Sequence, residues 1–163
     1  MQTKRKMLKA PFRAGGNSIP ITLLKLDSGF HLLISLHING KPARVLIDTG
    51  ASQTVFDKIQ IKKFLKEEKF ESHDKLSTGL GTNDMKSHLV VIDKMKIGKT
   101  EIKNYKTVVI DLSHVNVAYK QMKQKPIDGV LGSDILKKHK AVIDYGKKKL
   151  IFFPDPKGRN SQL

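Results

Sequence analysis

A hydrophobic run ends on a carboxylate in the stretch Val45-Leu46-Ile47-Asp48-Thr49-Gly50-Ala51-Ser52. The three aliphatic residues before Asp48 are typical of a buried strand. The small residues after it predict that the backbone turns sharply just past the Asp and presents hydrogen-bonding groups around it. Because a carboxylate is costly at the end of a buried strand, its presence there indicates a functional use.

The same local pattern occurs a second time, at Asp27-Ser28-Gly29. This copy lies between two alternating runs, residues 21–26 and 30–38, and no hydrophobic triplet precedes it. A second active-site carboxylate at Asp27 would also lie too close to Asp48 in sequence for a whole lobe to separate them. We therefore predict an ordinary turn here.

A second motif lies far along the chain, in Pro126-Ile127-Asp128-Gly129-Val130-Leu131-Gly132. Its aliphatic pair predicts a buried strand, and Gly132 permits a close approach of backbones. Ser133 is predicted to cap a helix over Asp134–His139. A buried strand, a glycine turn and a capped helix also occur together in many α/β proteins, but the spacing after Asp48 favours a different interpretation.

Taken together, the two motifs resemble those of the aspartic proteases. Residues 45–52 match the pattern of two hydrophobic residues, Asp, Thr, Gly, then Ala or Ser. Val130, Leu131 and Gly132 match the hydrophobic-hydrophobic-Gly segment that threads beside the Asp loop in that family. With 163 residues and one such motif, the chain suits a single domain. It therefore resembles the single-lobe, retropepsin-like type (clan AA) over about residues 30–153.

This resemblance implies a mainly β fold, a single-lobe retropepsin-like acid-protease β-barrel with short helices. It also implies a homodimer, in which Asp48 of each subunit meets its copy across a two-fold axis. The expected organisation is a flexible basic N-terminal arm at residues 1–17, the aspartic protease domain at 18–154 and a C-terminal tail at 155–163.

Hydrophobic periodicity supports an all-β interpretation with a few helices. Hairpin turns are predicted at Asn39-Gly40, Gly98-Lys99 and Gly146-Lys147, of which the first is the strongest signal. Predicted strands cover residues 18–26, 30–38, 43–48, 89–97, 100–112, 141–145 and 149–153. Two further helices, over residues 58–68 and 113–125, are expected to fill the long gap between the two motifs.

The resemblance also implies the chemistry of the loop. Asp48 would be the catalytic carboxylate, paired with its copy in a second subunit, and no metal or other cofactor would be required. Thr49 would hydrogen-bond to the partner loop, Gly50 would offer its backbone N–H to the carboxylate, and Ser52 completes the loop. Ala51 lacks the hydroxyl that pepsin-like enzymes often have there, which should raise the pKa values of the dyad. Activity is therefore expected at mildly acidic to neutral pH.

A glycine-rich segment, Ser77-Thr78-Gly79-Leu80-Gly81-Thr82-Asn83, is the candidate for the flap that closes over substrate in this family. Its tip would be Gly79, Leu80 and Gly81, because glycines suit a hairpin that moves and approaches a peptide backbone closely. A solvated loop without a role is the alternative. A phosphate-binding loop is excluded, since the downstream Gly and Lys of nucleotide-binding loops are missing.

The composition is strongly basic, with 31 Lys and Arg against 15 Asp and Glu and a net charge of +16. Lysine dominates and is spread along the chain, which is typical of a solvated surface rather than of a base-reading site. A functional nucleic-acid partner is therefore not expected, whereas acidic substrates or partners are favoured electrostatically. Lys9, Pro11 and Arg13 interrupt any apolar run near the start, so neither a signal peptide nor a membrane span is predicted and the expected location is the cytoplasm.

The six histidines do not predict a metal site. His31 and His37 lie six residues apart on one strand, too far to share an ion, and no Cys or acidic cluster joins them. The other four, at positions 73, 88, 114 and 139, are isolated and expected to be solvated. No serine lies in a nucleophile elbow, so a Ser-His-Asp hydrolase is not favoured either.

The sequence therefore predicts a homodimeric aspartic endopeptidase that hydrolyses peptide bonds of a polypeptide substrate with water activated by the two copies of Asp48. The substrate would bind as an added strand between the Asp loops and the flaps. The alternative is a noncatalytic retropepsin-fold dimeric module that binds peptides or protein partners. A third possibility is a monomer that dimerises only on a scaffold.

Overall fold

A computed structural model describes residues 16–26, 29–65, 71–73 and 87–153, with only the backbone at 71–73 and Ser87. Within these residues the protein is mainly β, as predicted. The strands are β1 (Asn17–Pro20), β2 (Thr22–Leu26), β3 (Gly29–Ile38), β4 (Lys41–Ile47), β5 (Val55–Asp57), β6 (Glu71–His73), β7 (Ser87–Ile97), β8 (Thr100–Ile110), β9 (Gly129–Leu131), β10 (Val142–Asp144) and β11 (Lys149–Phe152). The helices are a 3-10 helix (Gln60–Lys63), α1 (Ser113–Gln121) and α2 (Ser133–Lys138).

Eight strands form one sheet that closes into a barrel. Their order is β2-β3-β4-β9-β5-β8-β7-β6, and a further antiparallel pairing of β3 with β7 closes the sheet. That pairing joins His37 to Lys96 and Ile38 to Met95. The single-lobe barrel with short helices predicted from the sequence is therefore confirmed.

The β3–β4 hairpin brings the chain to Asp48. Asn39 and Gly40 adopt positive φ angles of 49° and 84°, which a two-residue hairpin turn requires. The Asn39 side chain secures this turn, since its Oδ1 accepts a hydrogen bond from the Lys94 backbone N–H at 3.0 Å and its Nδ2 donates to the Phe64 carbonyl at 3.1 Å. The turn sets the register in which Ile34 pairs with Val45, and β4 then delivers Asp48 at its end.

Two hydrophobic clusters lie on opposite faces of this hairpin. Alternate β3 residues Ile34, Leu36 and Ile38 point into the barrel, where they are buried. Leu33 points the other way and packs in a second cluster with Tyr119 of α1. Because both faces of β3 and β4 are covered, the strand that carries Asp48 is held from two sides.

The first predicted strand, over residues 18–26, is in fact two strands. β1 pairs with β11 in a separate three-stranded sheet, and β2 pairs with β3 in the large sheet. Between them, the Ile21 N–H donates to the Lys148 carbonyl at 2.9 Å. The alternation of the sequence is continuous, but the strand changes partner at this residue.

The helix predicted over residues 58–68 is wrong in its described part, where only the 3-10 turn Gln60–Lys63 forms. Asp57 is buried, and its Oδ1 accepts hydrogen bonds from the N–H groups of Ile59 and Gln60 at 3.0 and 2.8 Å. Its Oδ2 accepts from the Leu112 N–H at 2.9 Å, which joins the turn to the start of α1. These contacts tighten the chain into one turn.

The gap between the two motifs is filled largely by the β7–β8 hairpin, whose strands have 11 residues each, and only partly by helices. Helix α1 ends at Gln121, before the predicted residue 125. Lys123 has a positive φ of 56°, which ends the helix, and the Asn116 side chain then holds the backbone of Ile127 in two hydrogen bonds. No helix in the described part of the chain is long and apolar enough to cross a membrane.

Strand β1 begins at Asn17, the last residue of the predicted arm. The Asn17 side chain donates to the Ile97 carbonyl at 2.8 Å and to Thr100 Oγ1 at 2.9 Å, and accepts from the Lys99 N–H at 2.9 Å. Asn17 therefore belongs to the folded domain. Residues 1–15 of the predicted arm and the whole predicted tail lie outside the described residues.

His139 was predicted to be solvated, and this is wrong. Its ring stacks on Phe152 with centroids 4.9 Å apart, and its Nε2 is buried without a hydrogen-bond partner among the described residues. Burial, with a smaller effect of the Lys138 charge, lowers the pKa of His139. The folded protein therefore resists protonation of this ring.

This burial predicts a pH dependence of stability. The pKa is depressed in the folded state, so the unfolded chain binds the proton first as pH falls below about 6.5. The contribution of the neutral His139 ring to the free energy of unfolding is complete above that pH. It is lost as the pH falls toward the folded-state pKa. We expect His139→Phe to flatten the fall in Tm between pH 7 and 5, measured by thermal unfolding of both proteins. Parallel Tm curves for the two proteins would contradict this assignment.

Candidate active site

The Asp48 loop follows β4 directly. The Asp48 N–H donates to the Leu131 carbonyl at 3.1 Å, and the Ala51 N–H donates to the Asp48 carbonyl at 3.3 Å, which closes a sharp turn. The Gly50 N–H donates to Asp48 Oδ1 at 2.8 Å, the contact that the sequence predicts for it. Gly50 thus orients one carboxylate oxygen from within the same loop.

In the single chain, Asp48, Thr49 and Gly50 are all exposed at the surface. The sequence suggested a carboxylate at a buried strand end, and here the strand is buried but the carboxylate is not. Ile47 is 6% exposed, so the change from interior to surface occurs between adjacent residues. A second molecule could therefore reach this carboxylate without unfolding any part of the barrel.

The segment Val130-Leu131-Gly132 lies beside the Asp loop. Strand β9 is inserted between β4 and β5, with Leu131 paired in parallel to Ile47 and Val130 paired in antiparallel to Val55. Glycine is required at the end of this strand, because a Cβ on Gly132 would lie 2.5 Å from the Gln53 carbonyl oxygen and 2.8 Å from the Thr54 nitrogen. The two motifs that are distant in sequence therefore touch.

Residues 132–134 hold the far side of the Asp loop. The Ser133 N–H donates to the Ala51 carbonyl at 2.8 Å, and Ser133 Oγ donates to the Ser52 carbonyl at 3.2 Å. Ser133 is thus the first residue of α2 and a loop contact rather than its N-cap. That position is taken by Gly132, with no side-chain cap hydrogen bond.

Sequence reasoning missed a polar network behind the loop. Asp134 Oδ1 accepts hydrogen bonds from both the N–H and the Oγ1 of Thr54, each at 2.8 Å, and its Oδ2 accepts from the Tyr105 hydroxyl at 2.6 Å. Burial, followed by the hydrogen bond to Asp134, raises the pKa of Tyr105 well above its usual range. Thr107 Oγ1 completes the network by donating to the Thr54 carbonyl at 2.8 Å. The sequence feature that could have indicated this network is the alternate spacing of Tyr105 and Thr107 on β8, which places both side chains on one face of the strand.

A second buried carboxylate, Asp128, precedes β9. Its Oδ2 accepts from the Arg44 backbone N–H at 2.7 Å, and its Oδ1 pairs with Lys63 Nζ at 2.5 Å. Asp128 is 3% exposed and both of its oxygens have partners, whereas Asp48 is exposed and accepts a hydrogen bond from Gly50 at one oxygen. Among the carboxylates near the two motifs, Asp48 is thus the one presented to the surface, while Asp57, Asp128 and Asp134 are engaged by the protein itself.

The flap candidate Gly79, Leu80 and Gly81 lies outside the described residues, as do Asp27 and Ser28 of the second Asp-Ser-Gly pattern. In the ranges that are described, no group of three or more His, Asp or Glu side chains could hold a metal ion.

A family model described as aspartyl protease matches residues 34–135, more than half of the chain and both the Asp48 loop and the Gly132 segment. The protein therefore belongs to the aspartyl protease family. Its fold is that of the retropepsin-like members, the single-lobe type. No curated protein sequence matches the chain.

One solved structure supports this assignment of the fold, and two others are similar to the chain at lower TM-scores. A retropepsin-like aspartic protease from Rickettsia conorii is 24% identical with a TM-score of 0.53, over 85% of this chain and 89% of that one. EIAV protease in complex with the inhibitor HBY-793 is 22% identical with a TM-score of 0.48, over 71% and 93% of the two chains. The retroviral protease-like domain of Ddi1 from Leishmania major is 17% identical with a TM-score of 0.48, over 77% and 96%.

Proposed function

We propose that the protein is an aspartic endopeptidase that acts as a homodimer, with Asp48 of each subunit forming the catalytic dyad. The observation that carries the proposal is the exposed Asp48 loop, built on a buried strand and oriented by Gly50. An aspartic protease needs two carboxylates at one site. The Asp27 pattern, which the sequence predicts to be an ordinary turn, is not expected to supply the second one, so a second copy of the chain is the natural source.

The chemistry follows from pairing two identical carboxylates. At a separation of about 3 Å, both cannot be ionised, so the dyad shares one proton over a broad pH range. The ionised member takes a proton from a bound water, and the resulting hydroxide attacks the scissile carbonyl carbon. The protonated member donates to the carbonyl oxygen, which gives a tetrahedral diol. The C–N bond then breaks as the amine nitrogen takes the proton held by the dyad, while a diol hydroxyl gives its proton back to the dyad, which returns to its starting state.

The substrate would be an extended polypeptide bound as an additional strand over the Asp loops. The strongly positive charge of the chain favours substrates with acidic flanking residues. This preference should weaken at high salt, because exposed charges are screened.

The test is cleavage of an unfolded protein mixture from pH 3 to 8 at enzyme concentrations that span the dimerisation equilibrium. Analytical sedimentation measures the dimer fraction at each concentration. Cleavage that rises more steeply than linearly with protein concentration, in parallel with the dimer fraction, is the expected result. A verified dimer that cleaves nothing would refute the proposal and favour the peptide-binding alternative.

Ala51 offers a separate prediction on pH. A serine at this position would place a hydroxyl donor beside the Asp48 loop, which favours the ionised dyad and lowers its first pKa. We therefore expect Ala51→Ser to move the acidic limb of the pH profile of kcat/KM to lower pH. Ala51→Gly, which adds no donor, is the control. An acidic limb at the same pH in the serine variant would contradict this prediction.

A further inference from the structure

The segment that follows the catalytic motif, residues 51–54, is held from behind by residues 132–134. Hydrogen bonds from Ser133 hold the carbonyls of Ala51 and Ser52, and the Gly132 N–H donates to Thr54 Oγ1 at 2.9 Å. Asp134 makes the remaining contacts, since one of its oxygens accepts from both the N–H and the Oγ1 of Thr54 at 2.8 Å each.

Thr54 is the junction of this arrangement. It is 1% exposed, and its hydroxyl donates to Asp134 while accepting from the Gly132 N–H. Thr54 therefore connects the end of β9 to the first turn of α2. Loss of the carboxylate would leave the Thr54 N–H and hydroxyl buried without an acceptor, which is costly.

The other oxygen of Asp134 fixes the orientation of its carboxylate. The Tyr105 hydroxyl donates to it at 2.6 Å from β8, a strand that pairs with β5 directly after Thr54. A carboxylate held at both oxygens cannot rotate away from Thr54. Its charge is also placed in the first turn of α2, where the helix dipole favours a negative group.

From these contacts we infer that Asp134 is a positioning residue for the reaction: through Thr54 it holds residues 51–54, and with them the direction in which Asp48 is presented. The inference rests on the proposed function for its kinetic consequence. The hydrogen bonds of Asp134 go to Thr54 and Tyr105 and not to Asp48, so we expect it to act on the rate by setting geometry. A small displacement of a catalytic group costs on the order of 10²-fold in rate.

Four variants test this role against a matched control. Asp134→Ala removes all three accepted hydrogen bonds, whereas Asp134→Asn keeps an oxygen for Thr54 and offers its NH₂ to the Tyr105 oxygen. Asn17→Ala is the control, because it also removes three side-chain hydrogen bonds but at β1 and the β7–β8 turn. Thr54→Val, compared with Thr54→Ser, removes the hydroxyl without losing the branched shape and serves if Asp134→Ala does not fold.

We expect Asp134→Ala to lower kcat by about 10²-fold with little change in KM, since misplacing Asp48 affects the transition state more than substrate binding. Asp134→Asn should restore most of this loss, and Thr54→Val should lose activity where Thr54→Ser retains it. Asn17→Ala should lower Tm but leave kcat near the native value when the protein is assayed as a dimer. The inference is overturned if Asp134→Ala keeps the native kcat, or if Asn17→Ala loses as much.

A second readout does not depend on turnover. The amide resonance of Gly50, whose N–H donates to Asp48 Oδ1, should move in the NMR spectrum of Asp134→Ala and not in that of Asn17→Ala, because this hydrogen bond depends on the loop conformation. If the native protein cleaves nothing, the proposed function fails, yet a moved Gly50 resonance would still support the control of the Asp48 loop by Asp134. An unmoved Gly50 resonance in an active enzyme would refute the inference alone.

Discussion

Asp48→Asn is expected to reduce peptide cleavage by roughly 10⁴-fold, the upper range for general acid–base catalysis, while the barrel remains folded. The amide is nearly isosteric, keeps an oxygen for the Gly50 N–H, and cannot take a proton from water. Because Asp48 is exposed in the single chain, its replacement should change the Tm little. The measurement is kcat/KM on a peptide substrate, together with thermal unfolding of both proteins.

Asp93→Asn is the control, since it removes the same charge from an exposed position of β7 and should leave cleavage unchanged. Residual activity of Asp48→Asn within tenfold of the native level would exclude an Asp48 dyad, as tenfold is about 1.4 kcal/mol of transition-state stabilisation.

Mixing experiments extend this test to the dimer. If each site needs Asp48 from both subunits, equal amounts of native and Asp48→Asn chains that exchange freely leave about one quarter of dimers with two carboxylates. Activity should then fall as the square of the native fraction, whereas Asp93→Asn should not inhibit at all. A linear fall would mean that each chain carries a complete site.

Gly132→Ala is expected to have the second largest effect, on both stability and activity. The added methyl would meet the carbonyl carbon and oxygen of Gln53 and the Thr54 nitrogen, and these are backbone atoms that cannot rotate away. Overpacking of this kind costs about 1–3 kcal/mol, which lowers Tm by roughly 3–10 °C in a domain of this size. The backbone must also move at the loop that carries Asp48, so kcat should fall on the order of 10²-fold.

Gly29→Ala is a control with the same chemical change. A Cβ at Gly29 has no atom within 4 Å, so this variant should be close to neutral in thermal unfolding and in kinetics. If the two alanine variants behave alike, the steric argument for Gly132 is wrong. If Gly132→Ala loses stability but keeps the native kcat, the added methyl group disturbs the packing around Gly132 without moving the Asp48 loop.

Short-range sequence patterns predicted much of the barrel. Alternation located β3, β7 and β8, and the Asn39-Gly40 pair located the hairpin, because a two-residue turn with positive φ angles needs just such residues. The helix predicted over residues 58–68 did not form in its described part. The amphipathic stretch after Asp57 has helical spacing, but the Asp57 carboxylate binds the N–H groups of the next residues and tightens the chain into a 3-10 turn. Hydrophobic periodicity does not reveal a side-chain acceptor that competes with the helix for these N–H groups.

The sequence by itself determined the family, the Asp48 loop and the segment around Gly132, because each depends on a few adjacent residues whose types allow little else. The tertiary structure alone decided that β9 is inserted between β4 and β5, that Asp48 is exposed while Asp57 and Asp128 are buried, and that Asp134 reaches Thr54 and Tyr105. Asp134 lies 80 residues from Thr54 and 29 from Tyr105. Hydrogen bonds over such separations depend on the order of strands in the closed sheet, and that order is settled by packing of the whole chain rather than by local preference.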